Sequence, residues 1–561
     1  MGAFTIMYTL LGGLGIFFFG MKFMSDGLQA VAGDVIRKII NSLNNNRFLA
    51  VGVGLLVTCI IQSSSVTTVM TVGFVNAGLM TLKQAIGVIF GANIGTTITG
   101  WIISLKLDKH ALLLVGMGFI PGLFSKAEKW QHLGRALVGL GFVFIGLHFM
   151  GQALAPLRSN AVFLESISYF TGDFFGSYIA SIMMGCLLTM IVQSSAAMLG
   201  ITMALATSGV IPYHTAIALL LGENIGSTIS AILASIGTNV NAKRAARVHA
   251  IFNIFSVVLV SLILPYFLKA VDAFIPLDPG FMDADGTYPN VSHHLAMAHT
   301  LFNVGAALLF LPFINGLSKL VTKITPDKEN EREVPHLLVL GDPSNMLPAA
   351  SMAQAESELR KMKDIVERMY KLNREFWSAP EYDPKKLAKV IDYERITDNI
   401  HKEITVFLCY VMEKPMSHHQ SEQIQSMIKI ADELESVADY IERLANYRDR
   451  FRKDETLIGD SRTEFFQFFD EVWNFFEMVG KGLGDSDVLD MQRIESKSNE
   501  LQLWADSMRE KHLDRISKGT YPPVTALTYS DMVVALRKIR AHAFLMAGAI
   551  ENFHSKHEQA E

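Results

Sequence analysis

The chain has 561 residues, half of them hydrophobic, and only 18% are charged, against roughly a quarter in soluble globular domains. The shortage is uneven: residues 1–320 carry 16 Lys/Arg against 11 Asp/Glu, a net charge near +5, whereas residues 321–561 are near −10. This balance excludes a nucleic-acid binder with a basic stripe, and the scattered Cys59, Cys186 and Cys409 exclude a disulfide framework or CxxC metal site and fit a reducing interior.

One helical crossing of a bilayer takes about 20 mostly apolar residues. Such runs predict spans near 4–24, 84–105, 110–125, 132–153, 213–236, 246–268 and 294–316. The opening segment has no basic n-region and no small-residue cleavage site, so it reads as a retained span. Two further apolar stretches, about 48–80 and 175–210, are interrupted by IIQSSSVTT at 60–68 and IVQSSAAM at 191–198. Polar backbone at membrane depth is tolerated where it lines a cavity or packs on protein, so both read as re-entrant hairpins. With the C-terminal part inside, the inside loops hold Arg37, Lys38, Arg47, Lys83, Lys126, Lys129, Arg135, Lys243, Arg244, Arg247, Lys319 and Lys323. The outside loops hold Lys106, Lys109, Arg158 and Lys269 beside Asp272, Asp278, Asp283 and Asp285, the asymmetry of the positive-inside rule.

Landmarks recur. Gly13-Leu14-Gly15 through Gly20-x-x-Phe23-Met24 returns as Gly139-Leu140-Gly141 through Gly146-x-x-Phe149-Met150. Gln62-Ser63-Ser64 returns as Gln193-Ser194-Ser195, and GANIGTT at 91–97 as GENIGST at 222–228, both 131 residues on. Three crossings separate the first spans of the copies, and an odd number inserts the copies upside down. Inverted repeats with broken helices are the sequence signature of secondary transporters.

A helix that ends at mid-membrane presents unpaired N–H groups and the positive end of its dipole, which suits an anion. Gln62, Ser63, Ser64, Ser65, Gln193, Ser194 and Ser195 add amide and hydroxyl donors. No Lys or Arg stands near these turns in sequence, so the anion is expected on neutral donors, with co-bound cations supplying charge. Asn93, Thr96, Thr97, Asn224, Ser227 and Thr228 offer neutral oxygens for a hard cation, together with carbonyls that local unwinding at the glycines would free. Glu223 is the acid within the second copy, a cation ligand or proton carrier, where the first has Ala92. His249-x-x-Phe252-Asn253 and His299-x-x-Phe302-Asn303 form a second echo, read as histidines that pack two helices.

At the duplicated QSS and GxNIGxT motifs the chain resembles the type II sodium–phosphate cotransporters, over most of residues 1–320. The resemblance implies sodium-driven uptake of inorganic phosphate, with the QSS turns around phosphate, sodium sites close by, and alternating access of the hairpin-bearing part against a scaffold. The second turn departs from the pattern, since Ala196 stands where the first has Ser65.

Residues 324–351 read as a linker rich in Pro, Gly and polar clusters, and 352–561 as a soluble helical bundle of three- and four-residue apolar periodicity. Glu394-x-x-x-Asp398 and Glu435-x-x-x-Asp439 each place two carboxylates on one helix face, a pattern that is by itself a solvated acidic stripe. The segment ADELESVADYIERL at 431–444 is similar to the PhoU family, which implies two three-helix bundles whose ExxxD motifs bind divalent or iron-type metals. The second bundle departs from that pattern, with Glu495/Asn499 and Arg537/Ala541 at the matching positions.

The expected protein is thus all-α: a polytopic membrane domain of two inverted repeats with re-entrant hairpins (1–323, repeats about 1–125 and 130–268, last span 294–316) and a PhoU-like cytoplasmic bundle. Its expected role is sodium-coupled phosphate symport in a bacterial inner membrane, regulated by the bundle. The expected partners are phosphate, sodium and the lipid bilayer, with no nucleic acid, and a homo-oligomer or a phosphate-signalling partner of the bundle is compatible. Alternatives are a membrane phosphate sensor, or a symporter of another small oxyanion or carboxylate. No activated nucleophile–base pair is evident, so an enzyme is not expected.

Overall fold

The computed structural model describes residues 3–41, 46–76, 78–105, 107–159, 175–236, 238–326, 348–379, 381–414, 416–450, 459–483, 489–519 and 522–554. The side chains of Arg37, Lys38, Lys106, Lys109 and Arg158, and linker residues 327–347, lie outside that description. The described chain is helical, without strands, and divides into two compact units, residues 3–326 with 348–350 and residues 351–554.

The first unit contains α1 (Ala3–Asn41), α2 (Arg47–Ile61), α3 (Ser64–Asn76), α4 (Leu82–Ser104), α5 (Ala111–Phe124), α6 (Glu128–Leu154) and α7 (Phe175–Val192). There follow α8 (Ser195–Thr207), α9 (Tyr213–Gly226), α10 (Ile229–Ala234), α11 (Val240–Leu262), α12 (Leu264–Phe274), α13 (Val291–Phe310) and α14 (Ile314–Ile324). Among the described residues seven segments are long and apolar enough to cross a membrane: Phe4–Val31, Leu82–Ser104, Glu128–Leu157, Phe175–Val192, Tyr213–Ala234, Val240–Leu262 and Val291–Ile324.

That is the expected number with a different membership. The run at 110–125 yields α5, whose 14 residues span about 21 Å, short of a hydrocarbon core of about 30 Å. Conversely, the stretch at 175–210 opens with the 18 residues of α7, because its polar interruption falls only after Val192. α5 still runs in the direction the crossing count requires. It lies antiparallel to α6, since an added Cβ on Gly118 would meet the Gly134 carbonyl at 2.5 Å and one on Gly141 the Ala111 carbonyl at 2.8 Å.

Glycine lets backbones touch, and the unit is assembled on such contacts. α1 and α6 pack antiparallel: a Cβ on Gly20 would lie 2.6 Å from Val143 N, and one on Gly139 2.3 Å from Met24 N. An added Cβ on Gly54 of α2 would lie 2.0 Å from the Val88 carbonyl of α4, and one on Gly185 of α7 2.2 Å from the Leu219 carbonyl of α9. An added Cβ on Gly91 would likewise meet the Val51 carbonyl (1.9 Å) and one on Gly222 the Ile182 carbonyl (2.0 Å) in the same two pairs. Each contact of α7 with α9 lies 131 residues after its counterpart in α2 with α4.

The second unit is six helices, α15 (Pro348–Ser378), α16 (Pro384–Met412), α17 (His418–Arg450), α18 (Asp460–Gly480), α19 (Met491–Ser517) and α20 (Pro523–His554). They share one apolar core, from Leu359 and Ile404 through Leu434 and Phe469 to Leu501 and Ile550. Buried polar side chains fasten it: Tyr370 OH donates to the Phe469 carbonyl (2.8 Å), and Asn373 Nδ2 to the Ile441 carbonyl (2.6 Å).

Candidate functional site

The two QSS turns have one backbone design. Gln62 and Gln193 end α2 and α7 in the left-handed region, φ 59° and 56°, the two non-glycine residues with positive φ among the described residues. Left-handed backbone costs an L-residue about 1–2 kcal/mol, so both glutamines are held there by their surroundings. The next serine caps the following helix: Ser63 Oγ accepts from Val66 N (3.3 Å) and Ser194 Oγ from Ala197 N (3.2 Å). The first N–H groups of α3 and α8 are thereby aimed out of their helix ends.

These ends meet at a cavity of about 250 Å³ lined by Gln62, Ser63, Ser64, Ser65, Ser194, Ser195, Ala196 and Ala197. Thr96 and, on α1, Phe18, Met21, Lys22 and Ser25 complete the wall. Six of the seven residues expected to bind phosphate therefore converge. Gln193 is exposed and stands outside the lining, whereas Gln62 is buried, donates Nε2 to the Cys59 carbonyl (2.5 Å) and accepts from Thr99 Oγ1 (3.1 Å). The half-sites differ beyond the Ala196 substitution: one glutamine is tied into the fold and the other is exposed.

Lys22 corrects the expectation of neutral donors alone. It is remote from both turns in sequence, but α1 brings it to the wall of their cavity. The sequence held a signal for it, an ionisable residue at the end of an apolar span, between the landmark residues Gly20 and Phe23-Met24.

The residues expected to hold sodium are more dispersed. Thr96 lines the cavity, with its hydroxyl back-bonded to the Ala92 carbonyl (3.1 Å). α4 runs unbroken through Asn93, Thr96 and Thr97, so unwinding at the glycines does not occur in the first copy. In the second copy the helix breaks at Ser227 and Thr228, between α9 and α10, and their hydroxyls bond Asn224 O and Ile225 O. Gly91, Gly95, Gly222 and Gly226 are consumed instead by close helix packing, which explains the unbroken α4. Glu223 is buried and accepts from Thr202 Oγ1 (2.6 Å).

The histidine echo joins these motifs. Asn93 Nδ2 donates to Asn253 Oδ1 (3.0 Å) and Asn93 Oδ1 faces His249 Nε2 (3.3 Å), while Asn303 Nδ2 donates to Asn224 Oδ1 (3.3 Å). Asn253 and Asn303 each donate to the carbonyl of their own histidine, both at 2.9 Å. Each GxNIGxT asparagine is thus held by one His–Asn helix, a connection that sequence reasoning missed.

In the second unit, Glu394 and Asp398 on α16 face Glu435 and Asp439 on α17. Burial first, then Glu442, Asp439, Asp398 and Glu435, push the Glu394 carboxyl up to about 7. Glu435 is raised by burial and then by Asp439. Asp398 is paired with Lys402 (2.7 Å). Among the described residues no three His, Cys, Asp or Glu side chains converge closely enough to ligate one ion. In the other half Arg537 pairs with Asp506 (3.5 Å) and Arg540 bonds Ser498 (2.8 Å).

Residues 16–152 and 159–271 match the profile described as Na+/Pi-cotransporter, and residues 359–447 match the PhoU domain. "Uncharacterized protein YqeW" of Bacillus subtilis (strain 168) is 31% identical over 315 residues, 56% of this chain and 96% of that protein. The chain belongs to the Na+/Pi-cotransporter family. "Putative inorganic phosphate export protein YjbB" of Escherichia coli (strain K12) is 25% identical over 431 residues, 76% of this chain and 75% of that protein. "Sodium-dependent phosphate transport protein 2B" of Homo sapiens is 39% identical over 101 residues, 18% of this chain and 15% of that protein. No solved structure matches the chain. Seven membrane-length helices and this family make it a multi-pass membrane protein of phosphate transport. The PhoU match ends at 447, short of the half in which bases and neutral residues replace the acids.

Proposed function

We propose that the chain is a sodium-coupled symporter of inorganic phosphate, working by alternating access of two inverted repeats in a bacterial inner membrane. The observation that carries the reading is the convergence of both QSS turns and Lys22 on one cavity of about 250 Å³. Two helix N-termini, serine hydroxyls and one ammonium group form a donor-rich shell for a tetrahedral oxyanion. A phosphate dianion leaves at least one charge beyond Lys22 to be balanced, and sodium supplies it. Asn93, Thr96, Thr97, Glu223, Asn224, Ser227 and Thr228 are the proposed sodium ligands, acting in states of the cycle that free their oxygens. Sodium dependence in the name of the human relative supports the coupling.

Export is the second reading, favoured by the name of the Escherichia coli relative, which covers most of this chain. A symporter runs either way as the gradients dictate, so the chemistry of the site is common to both. The second unit is proposed to lie in the cytoplasm and regulate transport, with Glu394, Asp398, Glu435 and Asp439 taking a divalent or iron-type metal after side-chain rearrangement.

Purified protein in liposomes should accumulate labelled phosphate under an inward sodium gradient and fail to under an equal potassium gradient. Arsenate should compete; sulfate and succinate should not. Phosphate binding without accumulation under any gradient would favour a sensor and overturn the symporter.

A further inference from the structure

A second cavity, of about 780 Å³, lies in the same unit, lined on α6 by Phe144, Leu147, His148 and Gly151. These four are the register mates, 126 residues on, of Phe18, Met21, Lys22 and Ser25, which line the QSS cavity from α1. The matching is a consequence of how the helices cross. α1 and α6 run antiparallel, with Gly13 against Gly146 and Gly20 against Gly139, so exchanging the two helices superposes the contacts on themselves. On that register Lys22 and His148 stand about eleven residues apart along the pair, roughly 16 Å, with Phe17 near the midpoint.

Helix α8 orders the two cavities in space. Its first turn, Ser195 to Ala197, faces the QSS cavity, and its last, Met203 to Thr207, faces the second. Between them Gly200 bears on Phe17: an added Cβ would lie 2.5 Å from the ring's Cζ. Phe17 is fully buried, in a cluster with Ile103, Val143, Leu199 and Met203. The cavities are therefore on opposite sides of one apolar barrier. Besides His148, the second is lined by Gln152, Thr207, Ser208 and Ser292, and by Asp283 and Asp285. Asp283 is engaged by Thr287 N and Oγ1, both at 2.7 Å.

We propose that the second cavity is the opposite mouth of the transport path and a second station for the same small oxyanion, with His148 in the place that Lys22 has at the QSS turns. The seat of Phe17 on Gly200 is the barrier between them. The inference rests on reading the chain as a phosphate carrier. The carboxylates in the second mouth suit an anion that arrives with cations, as sodium coupling requires.

Ser25→Cys and Gly151→Cys report on the two mouths while Lys22 and His148 stay in place. Nothing lies within 4 Å of an added Cβ on Gly151, so its probe fits without strain. Each is placed in a chain with Cys59, Cys186 and Cys409 replaced by serine, reconstituted in liposomes, and exposed to a membrane-impermeant methanethiosulfonate on one side at a time. The expected result is modification of the two from opposite sides, slowed at Gly151→Cys by inorganic phosphate with sodium, and no such protection once His148→Gln is added. Modification of both from one side overturns the two-mouth path. Absent protection, or protection that survives His148→Gln, overturns the anion station. Phe17→Ala should open each probe to both sides and Phe17→Leu should not; unchanged sidedness in Phe17→Ala removes the barrier assignment. The sidedness pattern needs no transported substrate, so failure of the carrier reading, seen as absent phosphate flux, is told apart from failure of this one.

Discussion

Replacing Gln193 with glycine separates strain from function at the second QSS turn. Its φ of 56° costs an L-residue about 1–2 kcal/mol, which glycine does not incur. Glycine has more freedom to lose from the unfolded chain, roughly 0.5–1 kcal/mol, which offsets part of the gain. The exposed Gln193 side chain makes no hydrogen bond among the described residues, so no further loss enters. Gln193→Gly should therefore stabilise the protein by about 0.5–1 kcal/mol, and Gln193→Ala, which keeps the strain, should leave it near the parent. In detergent this is roughly a 1 °C rise in melting temperature for a unit of this size. Sodium-driven phosphate uptake should fall in both variants, because the amide, exposed beside the cavity here, is expected to meet substrate in another state of the cycle. A glycine variant less stable than the alanine variant refutes the strain argument. Full uptake by both refutes a substrate role for the glutamine.

Lys22→Gln removes a charge-assisted contact of about 1.5–3 kcal/mol and should weaken phosphate affinity roughly 10- to 100-fold, read as equilibrium binding; unchanged affinity would take Lys22 out of the site. Gly54→Ala and Gly185→Ala would drive a Cβ to within 2.0 and 2.2 Å of a carbonyl oxygen on the neighbouring helix, destabilising by about 1–3 kcal/mol or more. Gly52→Ala meets nothing within 4 Å and should be neutral or mildly stabilising, so equal melting of all three would refute the crossing geometry. Glu394 binds its proton more tightly folded than unfolded, so the stability it contributes is present below its unfolded value of 4.5 and is lost as pH rises through about 7. Glu394→Gln should flatten the fall in melting temperature of the second unit across that window; parallel profiles for variant and parent would contradict the carboxylate cluster.

The motifs that were duplicated in sequence are the parts of the site that could be read in advance. A polar break in an apolar run has one economical explanation, and Ser63–Ser65 and Ser194–Ser195 do line a common cavity. Glycine was ambiguous, because it permits both unwinding and close approach. In Gly91 and Gly222 packing against Val51 and Ile182 prevails, and pattern alone does not tell the two apart. Lys22 is far from the turns in sequence and close to them in space, a proximity that spacing alone does not show, although its place within the repeated Gly20–Met24 landmark marks it and His148 together. The lengths of α5 and α7 differ from the apolar runs that contain them because hydropathy marks apolar length while caps and breaks decide helix length. Within the second unit, the faces bearing Glu394, Asp398, Glu435 and Asp439 were legible from i, i+4 spacing, but the contribution of Glu442 needed the packing of α16 on α17.

Where the anion sits tests the account most directly. Anomalous arsenic scattering from the protein crystallised with sodium and arsenate would locate it without inference from activity. The account predicts a peak within hydrogen-bond reach of Ser63–Ser65, Ser194–Ser195 and Lys22, with any weaker peak beside His148. A sole peak away from both QSS turns would contradict it.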